Sequence, residues 1–123
     1  MPKRHWSAYV KARPKRRGKM NRTEAAYAER LTALQLAGKV MAWYYEGLTF
    51  RLTTGHPSRP AVRYTPDFFV VLPDGQTEIH ETKGYETRDG SKNLKLLADR
   101  FPFRCLLVKR AKREPEGWTW EEF

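Results

Sequence analysis

The chain has 123 residues and one cysteine, Cys105, which suits a single domain and excludes an internal disulfide or a cysteine-based metal cluster. Hydrophobic residues make up 40% of it, which is enough for a packed core and excludes full disorder. The net charge of +10 favours a polyanionic partner, while apolar runs far below the roughly 18 residues of a membrane span argue against a membrane protein.

The positive charge is concentrated near the N-terminus. Residues 1–22 hold nine Lys or Arg and no acid, and subtracting these nine from the 24 bases leaves 15 against 14 acids. We therefore predict a flexible basic arm over residues 1–20, a domain over residues 21–123, and DNA as partner, with no small-molecule substrate. A solubilising or membrane-surface tail is the alternative, but the arm lacks an amphipathic apolar stripe. The bases expected to contact nucleic acid are Lys11, Arg13, Lys15, Arg16, Arg17, Lys19, Arg22, Lys92 and Lys95.

The first predicted element is a helix that begins after Asn21 and ends at Gly38. Apolar side chains recur along it at helical spacing, at Ala28, Leu31 and Leu34. Residues 40–45 and 48–52 are aromatic and alternating, which predicts two short strands, and a loop follows them.

A hairpin comes next. Residues 68–72 form a continuous apolar strand, residues 73–76 are a strong turn signal, and residues 77–83 form the return strand. Ser91 is expected to cap a second helix that Pro102 ends.

The last elements complete the fold prediction. The second helix has an apolar stripe, residues 103–108 form a last buried strand, and the tail at residues 118–123 is expected to pack onto the domain. The order helix, four strands, helix, strand predicts an α/β fold in which helices flank a mixed β-sheet. The stripe consists of Leu94, Leu97, Ala98 and Phe101.

Three charged side chains are expected to converge at the open end of this hairpin. Ile79, Glu81 and Lys83 share one face of the return strand because side chains alternate, whereas His80 points to the opposite face as a structural or surface residue. Asp67 precedes the first strand, and the start of one antiparallel strand lies beside the end of the other. Burying such charges is costly unless they are paired or bind something.

Two carboxylates and a lysine are the groups that phosphodiester hydrolysis needs. Asp67 and Glu81 would bind a divalent ion that activates water, and Lys83 would orient that water. Hard oxygen ligands suit Mg²⁺ or Mn²⁺, while the lack of paired histidines argues against zinc. Glu24 lies on the helix stripe that faces the sheet and is a candidate fourth member, but its spacing from Asn21 equally fits a capping box.

The run from Tyr64 to Phe68 (YTPDF), followed by residues 81–84 (ETKG), resembles the signature of the PD-(D/E)xK nuclease superfamily, including small phage-encoded nucleases and the endonuclease subunit of certain bacterial transposons. With the TEAAYA opening of the first helix, the resemblance covers about residues 21–109. It implies a restriction-endonuclease-like αβββαβ core and Mg²⁺-dependent cleavage of DNA that leaves a 5′-phosphate, often by a homodimer. The single cysteine favours a reducing cytoplasm, which would be that of a bacterial cell or phage-infected host.

The resemblance also assigns roles to residues. It implies that Asp67, Glu81 and the backbone carbonyl of Thr82 bind metal, that Lys83 serves the nucleophilic water, and that Glu24 completes the site. Two alternatives stay open: a basic-arm protein that binds nucleic acid without cutting it, with Lys83 neutralising the two acids, and an interaction protein in which the arm is an assembly tether.

Overall fold

A computed structural model describes residues 19–83, 91–111 and 117–123 of the chain. No described helix is both long and apolar enough to cross a membrane. The elements in chain order are α1 (Arg22–Leu36), β1 (Ala42–Tyr45), β2 (Phe50–Arg51), β3 (Arg63–Tyr64), β4 (Phe68–Val71), β5 (Thr77–Lys83), α2 (Lys92–Arg100), β6 (Arg104–Arg110) and β7 (Trp118–Glu122).

Five strands form one mixed sheet in the order β1-β4-β5-β6-β7. The pair β5–β6 is parallel, and the other neighbouring pairs are antiparallel. A parallel pair needs a crossover between its strands, and α2 lies on that connection. The predicted α/β class with a mixed sheet and two helices is confirmed.

Each face of the sheet carries its own hydrophobic core. On the α1 face, Tyr27 and Leu31 pack with Phe68 and Val70, and on the opposite face α2 packs over Ile79. Burial on both faces explains why β4 is apolar at every position. The α2-side core also contains Leu94, Leu97, Cys105, Leu107, Phe50 and Leu52.

Most of the residues predicted to end helices make the contacts expected of them. Asn21 caps α1 through its side chain, which accepts from the Glu24 amide. Gly38 adopts φ 78°, and the amides of Gly38 and Lys39 close on the carbonyls of Gln35 and Leu34, which is the Schellman arrangement. Ser91 is an exception: it occupies the N-cap position of α2, but its side chain makes no capping hydrogen bond.

The structure differs from the strand predictions at β2, β3 and β7. The strand expected over residues 48–52 shrinks to β2, which leaves the main sheet and pairs with the unpredicted β3 in a two-stranded sheet. The C-terminal tail forms β7, which pairs antiparallel with β6, beyond the simple packing expected of it. Both missed strands lack a strong pattern: β3 has two residues, and β7 is an edge strand that alternates little in burial.

Candidate functional site

The hairpin of β4 and β5 brings Asp67 and Glu81 together. Its register pairs Phe68 with His80, so Asp67 lies one step beyond the pairing, next to Glu81. The Asp67 amide donates a hydrogen bond of 3.0 Å to Oε1 of Glu81. The amide and hydroxyl of Thr82 donate to Oδ2 of Asp67 at 2.9 and 2.7 Å. Each acid is therefore held by the backbone of the other strand.

Glu24 approaches from α1 and takes part in two sets of contacts. It completes the capping box, because its Oε1 accepts from the Asn21 amide at 2.9 Å while Asn21 Oδ1 accepts from the Glu24 amide at 2.7 Å. The same Oε1 accepts from the hydroxyl of Tyr45 at 2.8 Å. Glu24 also acts on Asp67 through its charge, which raises the pKa of that carboxyl. The cap and the carboxylate cluster thus coexist.

The two hairpin acids hold protons more tightly than usual. Burial is the main reason that the pKa of Asp67 rises to about 7, and the charge of Glu24 adds to the rise against the hydrogen bonds from Thr82. Burial, followed by the charge of Asp67, raises the pKa of Glu81 to about 8. Three carboxylates therefore share a partly buried site in which negative charge is under-compensated.

Two tyrosines belong to this site and were not predicted as members. Tyr45 pairs with Phe68 in the β1–β4 register, which places its hydroxyl beside Glu24. Tyr64 lies near Glu81 and offsets part of the rise in that acid's pKa. Its buried hydroxyl does not meet the geometry of a full hydrogen bond with any described group. Burial chiefly raises the pKa of both phenols, so they remain neutral donors.

The strand alternation of β5 separates two groups of side chains. Lys83 is half-buried at the end of β5 and shares the face of Glu81, and in the parallel register it pairs with Lys109. His80 is buried on the opposite face, where Nδ1 is 2.8 Å from the Tyr27 hydroxyl and Nε2 is 2.8 Å from Oε1 of Glu78. The expectation that His80 is structural is consistent with this position.

The predicted nucleic-acid contacts are only partly within the described chain. Lys19 and Arg22 are exposed, three residues before α1 and at its first residue. Lys92 and Lys95 are exposed on the first turn of α2, and the Lys95 ammonium lies 5.7 Å from the centre of the Phe123 ring. The remaining predicted contacts lie outside the described residues: Lys11, Arg13, Lys15, Arg16 and Arg17.

Within the described residues, no group of three or more His, Cys, Asp or Glu side chains is arranged to hold a metal ion. Glu24, Asp67 and Glu81 interact electrostatically, but they do not form a closed cage of ligands. Searches against protein-family models, curated proteins and solved structures found no match for the chain.

Proposed function

We propose that the chain is a metal-dependent endonuclease that hydrolyses phosphodiester bonds in duplex or branched DNA and leaves a 5′-phosphate. The observation that carries the proposal is the pair Asp67 and Glu81, two adjacent, partly buried acids whose pKa values are both raised. A structural ion pair would lower those values. Under-compensated negative charge at a sheet end favours a site that recruits a cation.

The donor set fits Mg²⁺ or Mn²⁺. Mg²⁺ usually takes one or two carboxylates and fills its remaining positions with water and substrate phosphate, so a closed cage of three protein acids is not required. Bound there, such an ion supplies polarisation of a phosphoryl oxygen and a lowered pKa for attacking water. Asp67, Glu81, the Thr82 carbonyl and Glu24 are the proposed ligands, and the Tyr64 hydroxyl lies beside Glu81, whose pKa it lowers in part.

The surrounding residues have proposed roles that do not depend on ligation. Thr82 holds the Asp67 carboxylate in one orientation through two hydrogen bonds. Tyr45 does the same for Glu24. Lys83, on the face of Glu81, would orient the nucleophilic water and stabilise charge that develops on the phosphate. The site is thus preorganised by neutral donors from two different strands, β5 and β1.

The restriction-endonuclease-like core is part of the proposal. Without the β2–β3 ribbon and β7, the remaining order α1, β1, β4, β5, α2, β6 is helix, three strands, helix, strand. That order fits the αβββαβ core implied by the sequence resemblance. The alternative, a protein that binds nucleic acid without cutting, explains the basic residues but makes Lys83 neutralise Asp67 and Glu81, which the raised pKa values disfavour.

The test is a cleavage assay on plasmid and labelled branched DNA with Mg²⁺, with Mn²⁺ and with chelator. We expect metal-dependent cutting by the native chain and none by Lys83→Ala, while DNA binding survives in both. Lys39→Ala is the matched control, because Lys39 is an exposed lysine just beyond the opposite end of α1. Binding without cutting, unchanged in Lys83→Ala, would favour the non-catalytic alternative.

A further inference from the structure

A cavity of about 220 Å³ opens on the α1 face of the sheet, between α1 and the last two strands. It lies on the face opposite to Glu81, since His80 and Glu78 contribute to its lining. Pockets for whole drug-sized ligands are commonly about 300–1,000 Å³. This cavity therefore suits a single ring system that belongs to a larger ligand.

Two tryptophans of β7 form one side of the cavity. Trp118 and Trp120 are two residues apart and so share a face of the strand. Trp118 is held between the ring of Tyr27, at 4.9 Å, and the guanidinium of Arg110, at 5.0 Å. Trp120 is 58% exposed. The Trp118 indole is thus packed between two neighbouring side chains, while the Trp120 indole is open to solvent.

A polar network forms the floor of the cavity. Tyr27, His80 and Glu78 are joined in series at 2.8 Å each, and Arg104 donates to Glu78 at 2.6 Å. Hydrogen bonding from His80 and then Arg104 outweighs burial and lowers the pKa of Glu78, so this acid is charged and compensated. The polar side chains of the floor are thus hydrogen-bonded to one another, and the charge of Glu78 is compensated, unlike that of the carboxylate cluster at the sheet end.

The rim of the cavity is positively charged. Arg30 of α1 lines it, and no ion pair joins Arg30 to another described residue. Arg110 lies over Trp118 nearby. An open indole beside arginines is the combination with which proteins bind single-stranded nucleic acid, where bases stack on the ring and phosphates meet the cations. A purely apolar peptide would offer no negative group to pair with these arginines.

We propose that this cavity binds one unpaired nucleobase of a DNA strand, stacked on Trp120, with the adjoining phosphates at Arg30 and Arg110. The proposal concerns binding alone, so it does not depend on hydrolysis at Asp67 and Glu81. If both proposals hold, the protein prefers DNA that offers an unpaired base, such as a branch or a frayed end.

The test uses fluorescence anisotropy in chelator, where no cleavage can occur. The probes are a short labelled oligothymidylate and the same strand with abasic positions, which keeps the phosphates and removes the bases. We expect the native chain to bind the base-containing strand roughly 5- to 150-fold more tightly, as stacking of one base predicts. Trp120→Ala should lose this preference, and Trp120→Phe should retain most of it.

The matched control is Tyr44→Ala, because Tyr44 is also an exposed aromatic on an edge strand, at 52% exposure. Tyr44→Ala should keep the native preference for the base-containing strand. Trp120→Ala and Tyr44→Ala should both unfold near the melting temperature of the native chain. A native chain that does not distinguish the two strands would overturn the proposal. So would a Trp120→Ala chain that still prefers bases, or one that loses affinity for both strands equally.

Discussion

Replacing the partly buried Asp67 by an uncharged residue should stabilise the metal-free protein and abolish cleavage. Asp67→Asn preserves the shape of the side chain and an oxygen that can accept from Thr82, but it carries no charge. The pKa of Asp67 rises from 3.8 to about 7 in the folded chain. Each pKa unit corresponds to ~1.4 kcal/mol. A rise of about three units therefore means that ionisation of Asp67 opposes folding by up to about 4 kcal/mol.

The sign of the pH dependence follows from the direction of this shift. A folded-state pKa above the unfolded value favours the protonated native acid, so this stability is present below about pH 4 and is lost as the pH rises through about 7. Asp67→Asn does not titrate there. Its advantage in unfolding free energy over the native chain should therefore grow with pH, toward a limit of about 4 kcal/mol.

Urea unfolding in chelator, across the range from about pH 4 to about pH 8, measures this advantage. Asp99→Asn is the control, because Asp99 is an exposed acid on α2 and its replacement removes the same formal charge. A difference between native and Asp67→Asn chains that stays constant with pH, or an Asn variant less stable throughout, would refute the reasoning. It would mean that a cation of the chain already compensates the pair.

Three further predictions concern the same site and its support. Mg²⁺ should raise the melting temperature of the native chain more near pH 8 than near pH 5, because carboxylates must be deprotonated to bind metal. Mg²⁺ should not raise the melting temperature of Asp67→Asn, and differential scanning fluorimetry measures both melting temperatures. Glu24→Gln should not lower the unfolding free energy, since Gln also completes a capping box and the loss of the Glu24 charge removes one cause of the raised Asp67 pKa, yet it should lower cleavage at least tenfold. Asn21→Ala should instead cost ~1 kcal/mol and leave the cleavage rate per folded molecule unchanged. Leu31→Ala should cost about 2–5 kcal/mol in urea unfolding, because Leu31 is fully buried in the α1-side core.

The hairpin and the first helix could be predicted because local chemistry dictates them. Asn21 and Gly38 mark the ends of α1 through contacts made within a few residues. The turn at residues 73–76 fixes which strand positions face each other, so the neighbourhood of Asp67 and Glu81 follows from counting along two strands. That part of the candidate site was therefore within reach of the sequence.

The rest depends on contacts between distant segments. Tyr45 looked like an ordinary strand aromatic, and Tyr64 was only part of the YTPDF run. Only the β1–β4 register and the β2–β3 ribbon bring their hydroxyls to the acids. Knowing the β1–β4 register would have identified Tyr45 as a neighbour of Asp67, but no local sequence signal determines that register. Glu78 is similar: its charge is compensated in part by a hydrogen bond from Arg104, which is 26 positions away.

The tight turn between β4 and β5 controls a site that it does not touch. Leu72 and Gln76 close the turn, and Gly75 enters it at φ 91°, a conformation that other residues adopt only with strain. Inserting or deleting one residue here would shift the pairing by one step and exchange the faces of Glu81 and His80, roughly 13 Å along the strand. The length of the β4–β5 turn therefore determines which side chains reach the candidate site. We expect changes in the number of residues in this turn to be tolerated far less well than changes in their side chains.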